Sequence, residues 1–430
     1  MKSFTPTVYS LMNVATGRVF PDAGWMLADP ESPKPSLVRA VYQKKQIDVK
    51  GSDWGFYRFA DWLPVHRLLR DSATTVTYRS EGLARHLGLD NLYIAFSGYW
   101  PERGALMKTC SFKETEAYSV CGRLPKDCKK ILTVASAGNT ARAFAKVCSE
   151  NDIPLLLCVP EDNIDALWFE HPIRDCVKLV CAPKGSDYFD AIALSQAAAS
   201  SGMFMDEGGA KNVARRDGMG TTVLSATVEI GRIPDAYFQA IGSGTGAIAA
   251  REANLRLIED GRFGTAQMKL HTVQNVPFLP MYDAWKAGQR DLLPFDDDEA
   301  RQKAAMIDAK VLSNRRPPYS LAGGVYDCLC DSHGDVYAVT NAEIRHCAAM
   351  FKELEGVDIY SASGAALAGL EQAVKAGAVG RDDVIMLNIT GGGEQHFKKD
   401  CKVHWLKPSL VISPSEDKDR IVREIEKLFA

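Results

Sequence analysis

No stretch of this 430-residue chain approaches the roughly 18 consecutive apolar residues that a membrane-crossing helix needs, so no spanning segment is predicted. The opening Met1-Lys2-Ser3-Phe4-Thr5-Pro6 lacks the apolar core of a signal peptide, and the expectation is a cytoplasmic protein. Charge of one sign is also missing. With 51 basic and 54 acidic residues the formal net charge is -3, which suggests neither a nucleic acid nor a membrane surface as partner. None of the eight histidines pairs at the spacing of a helical metal site. The eleven cysteines mostly sit in apolar runs (Cys148, Cys158, Cys181, Cys347), where a reduced cysteine behaves as a small hydrophobe. Cys328 and Cys330 are separated by one residue, not by the two of a zinc knuckle, and no metal is expected. Internal repeats and low-complexity tracts are absent as well.

What remains is the composition of an ordinary globular protein, 46% hydrophobic and 24% charged, too long for one simple core. From residue 131 the chain alternates buried-strand and helix patterns. Ile131–Ala135, Leu155–Val159 and Val177–Cys181 read as strands, and 140–150, 165–175 and 187–200 as helices. This βαβα order predicts an α/β protein with a parallel sheet covered by helices on both faces. Further on, 236–241 and 384–389 read as strands, and 245–259, 341–354 and 363–376 as helices. Asp296-Asp297-Asp298-Glu299 reads as an acidic helix start. The first 60 or so residues, rich in Pro and Trp, lack a clear period and read as an extension wrapped on the core.

Four segments carry chemistry. Thr109-Cys110-Ser111-Phe112-Lys113 puts one lysine at the start of a helix whose apolar stripe runs through Phe112, Ala117, Val120, Cys121 and Leu124. The positive end of a helix dipole disfavours a lysine's own charge, which suits an amine that must act as a nucleophile and base. Ser136-Ala137-Gly138-Asn139-Thr140 lies between a strand and a helix, where free backbone N–H groups hold carboxylates. Asn139 reads there either as a hydrogen-bond donor to a ligand or as a helix cap. Gly242-Ser243-Gly244-Thr245-Gly246 follows a strand and opens a helix, the arrangement of a phosphate cradle. It lacks the full G-x-G-x-x-G spacing of a dinucleotide loop. Thr390 ends the last apolar strand, ahead of three glycines. Together these resemble the parts of a pyridoxal-phosphate site, with Lys113 expected at the aldehyde, Asn139 at the phenolic oxygen, residues 242–246 at the phosphate and Thr390 at the pyridine nitrogen. Lys211-Asn212-Val213-Ala214-Arg215-Arg216 concentrates three cations, either a solvated patch or a fork for a phosphorylated substrate.

The order of these segments resembles the fold-type II pyridoxal-phosphate enzymes, the tryptophan-synthase-β-like group, and within it threonine synthase. Phe56-Tyr57-Arg58 with Leu63-Pro64-Val65, the lysine motif, the Asn139 loop, Asn212-x-x-Arg215-x-Asp217-Gly218 and Thr390-Gly391 all have counterparts there. The fold implied is two open, mainly parallel sheets: 56–110 and 205–430 as a large cofactor-binding domain, 111–204 as a smaller one, and 1–55 as the extension. Asn212 and Arg215 are implied to hold a substrate phosphate, and Ser136, Ala137 and Thr140 a substrate carboxylate. The departures from threonine synthase are Cys110 for a glycine, Ala137 for a threonine, and Glu114-Thr115 for Asp-Arg. With Tyr99-Trp100-Pro101-Glu102-Arg103 and Asn314-Arg315-Arg316-Pro317-Pro318-Tyr319, they make the chain similar to the cysteate synthase family. That resemblance implies a β-replacement in which O-phospho-L-serine and sulfite give L-cysteate and phosphate. It implies small-molecule partners and a homo-oligomer, dimer or trimer. Lys211–Arg216 and Arg103 are the cations expected to meet the two anions, and Cys110 and Ala137 are expected to reshape the pocket. Threonine synthase itself, or a catalytically retired cofactor-binding sensor, are the competing expectations.

Overall fold

The computed structural model describes residues 4–125, 127–136 and 138–430. Ile131–Ala135, Leu155–Pro160 and Val177–Ala182 are strands buried along almost every position, as expected of strands covered on both faces. They form the middle of a five-stranded parallel sheet, with Phe204–Asp206 at one edge and Leu410–Val411 at the other. A second sheet of six strands runs in the order Asp335–Val339, Lys269–Asn275, Ala236–Ala240, Val384–Ile389, Asn91–Phe96, Val76–Arg79. Its neighbours are parallel except for the edge strand Val76–Arg79. Helices flank both sheets, which makes the fold α/β. Among the described residues no helix is long and apolar enough to cross a membrane.

Three segments differ from the sequence reading. Residues 165–175 are not a helix: a 3-10 turn over Glu161–Ala166 leads into the short strand Trp168–Phe169. Pro172 explains this, since it cannot donate within a helix and clashes with the preceding turn. The tail does not stay with the large sheet. Leu410–Val411 extends the smaller sheet beside Val177–Ala182, and Ile421 and Ile425 of the Lys418–Glu426 helix bury against the same core. The third is an unread 18-residue helix, Val213–Ile230, which packs against the Lys113–Arg123 helix along its first turns.

The N-terminal extension folds as a three-stranded antiparallel sheet, Tyr9–Asn13, Val19–Phe20 and Val38–Tyr42. Buried polar bonds tie it to these two helices. Tyr42 Oη donates to Asp217 at 2.6 Å, and the fully buried Arg123 donates to Asp22 at 2.8 Å and to the Met26 carbonyl at 3.0 Å. Asp296 accepts from the amides of Asp298 and Glu299 and so caps the acidic helix Asp297–Met306. The strands Ile131–Ala135, Ala236–Ala240 and Val384–Ile389 end at one cavity, outside the carboxyl ends of both sheets. That is where ligands bind in open α/β sheets.

Candidate active site

The cavity measures about 560 Å³ and brings together Lys113, Ser136, Asn139, Thr140, residues 242–246 and Thr390 from four distant stretches of sequence. Backbone pairing fastens two of them. Ser111 bridges to Gly391, Phe112 N–H donates to the Thr390 carbonyl at 2.9 Å, and Gly392 N–H donates to the Cys110 carbonyl at 3.1 Å. The lysine loop and the Thr390 loop are therefore tied directly to each other.

Lys113 is the first residue of its helix, as the sequence predicts. Its Nζ donates to Glu116 Oε2 at 3.1 Å, one turn along the same face. Glu116 also accepts from Thr140 Oγ1 at 2.9 Å and lies 3.4 Å from Arg215 Nη2. Arg215 closes the network with a two-point contact to Glu207, both bonds 2.8 Å. Burial lowers the Lys113 pKa below the usual lysine value, with Arg215 adding to it and Glu116 opposing. For Glu116, burial works against the charge, but Arg215 and Lys113 outweigh it and hold the carboxyl below its ordinary value. Burial pushes Glu207 up to about 7 against the pull of Arg215.

Next to Asn139, Arg142, itself almost fully buried, donates to Asn139 Oδ1 at 3.0 Å and to Tyr360 Oη at 3.0 Å. Its guanidinium lies over the Trp168 ring at 4.1 Å and also bonds the carbonyls of Thr109 and Ala166. Arg142 occupies the amide oxygen of Asn139, which leaves Nδ2 as the atom that can donate elsewhere. Ser136 Oγ accepts from the amides of Gly138 and Ala141 at 3.1 Å each and so holds the start of the next helix.

Some expected site residues do not reach the cavity. Asn212 is fully buried outside it: its Oδ1 takes Arg123 Nη1 at 2.8 Å and the Ala214 amide at 3.0 Å, and its Nδ2 donates to the Glu207 carbonyl at 2.7 Å. Its oxygen is doubly occupied and its amide nitrogen is turned to the Glu207 carbonyl, so it does not face the cavity. Cys110 points away too, into a small cluster with Trp168 and Phe397, and burial pushes its thiol well above the ordinary range. It has φ +52°, the left-handed region that glycine adopts most easily. Arg103 stacks on Tyr78 and Trp100, with its guanidinium carbon 4.1 and 4.7 Å from the two ring centres, and is not at the cavity. Ala137 lies outside the described residues. The residues the sequence reading missed are Glu116, Glu207, Arg142 and Tyr360, together with Tyr188 and Arg316 on the cavity wall. Only Glu116 gave a sequence signal, three positions after Lys113 on the same helical face.

The sequence profile of the family described as "Pyridoxal-phosphate dependent enzyme" matches residues 73–391. The chain belongs to that family. Among its similar proteins, the cysteate synthase of Methanosarcina acetivorans is 48% identical over 379 residues, 88% of this chain and 91% of the relative. That of Methanocella arvoryzae is 44% identical over 423 residues, 97% and 99% of the two chains. Solved structures share the fold at low identity. Maize serine racemase matches with TM-score 0.56 at 16% identity, over 76% of this chain and 91% of its own. Threonine deaminase isoform 2 of Solanum lycopersicum matches with TM-score 0.53 at 18% identity, over 76% and 86%. The fold is that of the fold-type II pyridoxal-phosphate enzymes, and the cofactor of this enzyme is pyridoxal phosphate.

The cavity of this pyridoxal-phosphate enzyme fits the group. The Thr245–Asp260 helix starts without a side-chain cap from Gly244; Ser243 Oγ takes the Thr245 amide at 3.3 Å, and the next first-turn N–H groups remain available to an anion. A Cβ at Gly242 would sit 2.6 Å from the Val311 carbonyl, a backbone wall that only glycine fits against, while one at Gly246 would press on the Gln239 side-chain amide. Lys113 and Thr390 lie on the same cavity surface as this loop.

Proposed function

We propose that this enzyme is a cysteate synthase, converting O-phospho-L-serine and sulfite to L-cysteate and phosphate. The observation that carries the reading is the near full-length similarity to the cysteate synthases of Methanosarcina acetivorans and Methanocella arvoryzae. The cavity chemistry agrees with it. Bound pyridoxal phosphate draws electrons from the substrate's Cα and makes the Cα–H acidic. Lys113 would hold the cofactor's aldehyde at rest, and its freed Nζ would be the base that takes the substrate's Cα proton. Asn139, its Oδ1 held by Arg142, would hold the cofactor's phenolic oxygen through Nδ2. The 242–246 loop would hold the cofactor phosphate, and the Thr390 hydroxyl, a neutral group, would hold the pyridine nitrogen. Ser136 and Thr140, the latter through its backbone amide at the helix start, would hold the substrate carboxylate. Phosphate leaves from Cβ on the side of Arg215, sulfite adds to the same carbon, and Lys113 returns the proton to Cα. Both anions need cations in a desolvated site. Besides Arg215, the cavity wall offers Lys211 and Arg316. The protein acts on small molecules, and we read it as a cytoplasmic homo-oligomer.

The test is product identity. With O-phosphoserine and sulfite, phosphate and cysteate should appear in equal amounts by phosphate release and NMR. With O-phosphohomoserine, little or no threonine should form. Threonine as the faster product, or a product unchanged by sulfite, would replace this reading with threonine synthase. No turnover of either substrate would replace it with a retired sensor.

A further inference from the structure

Glu116 is the one carboxylate within hydrogen-bond reach of Lys113 Nζ among the described residues, at 3.1 Å, and it has no exposed surface. A buried carboxylate with no partner costs several kcal/mol, so its surroundings must account for it. Three donors do: Lys113, Thr140 Oγ1 at 2.9 Å and Arg215 at 3.4 Å. Lys113 and Glu116 share one helix, Thr140 starts a second and Arg215 sits in a third, so the geometry is set by packed elements rather than by a loop. We propose that Glu116 is a positioning residue that keeps the proton on Lys113 Nζ, with Thr140 and Arg215 setting how tightly the carboxylate holds it.

The physical reason lies in what Lys113 must do. Its nitrogen takes one proton from Cα and gives the same proton back, so it has to carry a positive charge in a site that disfavours charge. Burial and Arg215 both push that charge off, and Glu116 is the opposing group on the same helix. The other ionisable groups facing this point are Glu207, paired to Arg215 from beyond the Phe204–Asp206 strand, and Tyr188 from the Tyr188–Ala199 helix. Arg215 makes its two 2.8 Å bonds to Glu207 and only a 3.4 Å contact to Glu116, so Glu116 remains available to Lys113. Thr140 acts in the opposite sense, because each hydrogen bond it gives to Glu116 makes that carboxylate a weaker partner for the lysine.

The inference rests on the proposed reading only for Lys113 as the cofactor-bearing lysine, not for the substrate. Its test is a pH titration of the resting holoenzyme's visible band, which follows the proton on the Lys113 nitrogen without turnover. Glu116→Gln keeps the shape but removes the charge, and the midpoint should fall by about one unit or more, as for loss of an opposite charge at contact distance. Thr140→Val removes one donor from Glu116, and the midpoint should rise. A merely structural role would shift both variants the same way or neither. An unmoved midpoint in Glu116→Gln, or one that fails to rise in Thr140→Val, overturns the proposal. If Glu116→Gln does not fold, the direction in Thr140→Val decides alone. Failure of the cysteate assay with these titrations intact would refute only the substrate assignment.

Discussion

Asn212 and Arg215 sit three residues apart at one helix start, yet they face different surroundings. Arg215 lines the cavity, while Asn212 spends its oxygen on Arg123 and Ala214 and its nitrogen on the Glu207 carbonyl. Asn212→Ala should therefore act on stability. It removes a helix cap and strands a buried guanidinium bond, together costing roughly 2–4 kcal/mol, read as a lower denaturation midpoint. The KM for phosphoserine should stay within about twofold, since the charge-assisted contacts of Arg215 are untouched. A large rise in KM with unchanged stability would return Asn212 to the substrate. The same contrast marks the limit of what the sequence revealed at this scale. Lys113, Asn139 and the 242–246 loop are legible because each lies in a short run whose spacing has its own meaning. Arg142 and Tyr360 stand 218 positions apart and meet only through the fold. No local pattern announces such a pair.

Helices and strands were legible where burial and propensity agree, as in Leu155–Pro160 or Thr245–Asp260. They were missed where the two conflict. The Lys269–Asn275 strand buries His271, Thr272, Gln274 and Asn275, so no apolar run marks it. The Val213–Ile230 helix contains Gly218, Gly220 and several threonines, all poor helix formers. Packing explains the first glycine. A Cβ on Gly218 would collide with the Thr115 carbonyl and lie 2.8 Å from Ser119 Cβ, on the helix that carries Lys113. Gly218→Ala should thus destabilise by roughly 1–3 kcal/mol through overpacking. An ordinary helix interior would instead gain about 1 kcal/mol from the same change. A raised midpoint in denaturant would contradict the close packing on which the Lys113–Glu116–Arg215 geometry depends.

At the scale of the whole molecule, the alternation of buried strands and helices was enough to give an α/β fold with parallel pairing, and the family resemblance supplied the second sheet. It was not enough to follow the chain's end. Leu410–Val411 has only two residues of strand, and its partner Val177–Ala182 lies more than 200 residues earlier. What the two sheets achieve together is a cavity where strand ends from both converge, with one lysine bonded to a buried carboxylate inside it. The account stands or falls on that lysine. The most direct measurement is borohydride reduction of the holoenzyme, followed by peptide mapping of the fixed cofactor. The account predicts that the phosphopyridoxyl label lies on Lys113 alone and that Lys113→Ala abolishes turnover. A label on Lys211 or Lys310, which also line the cavity, or on Lys108, would contradict it.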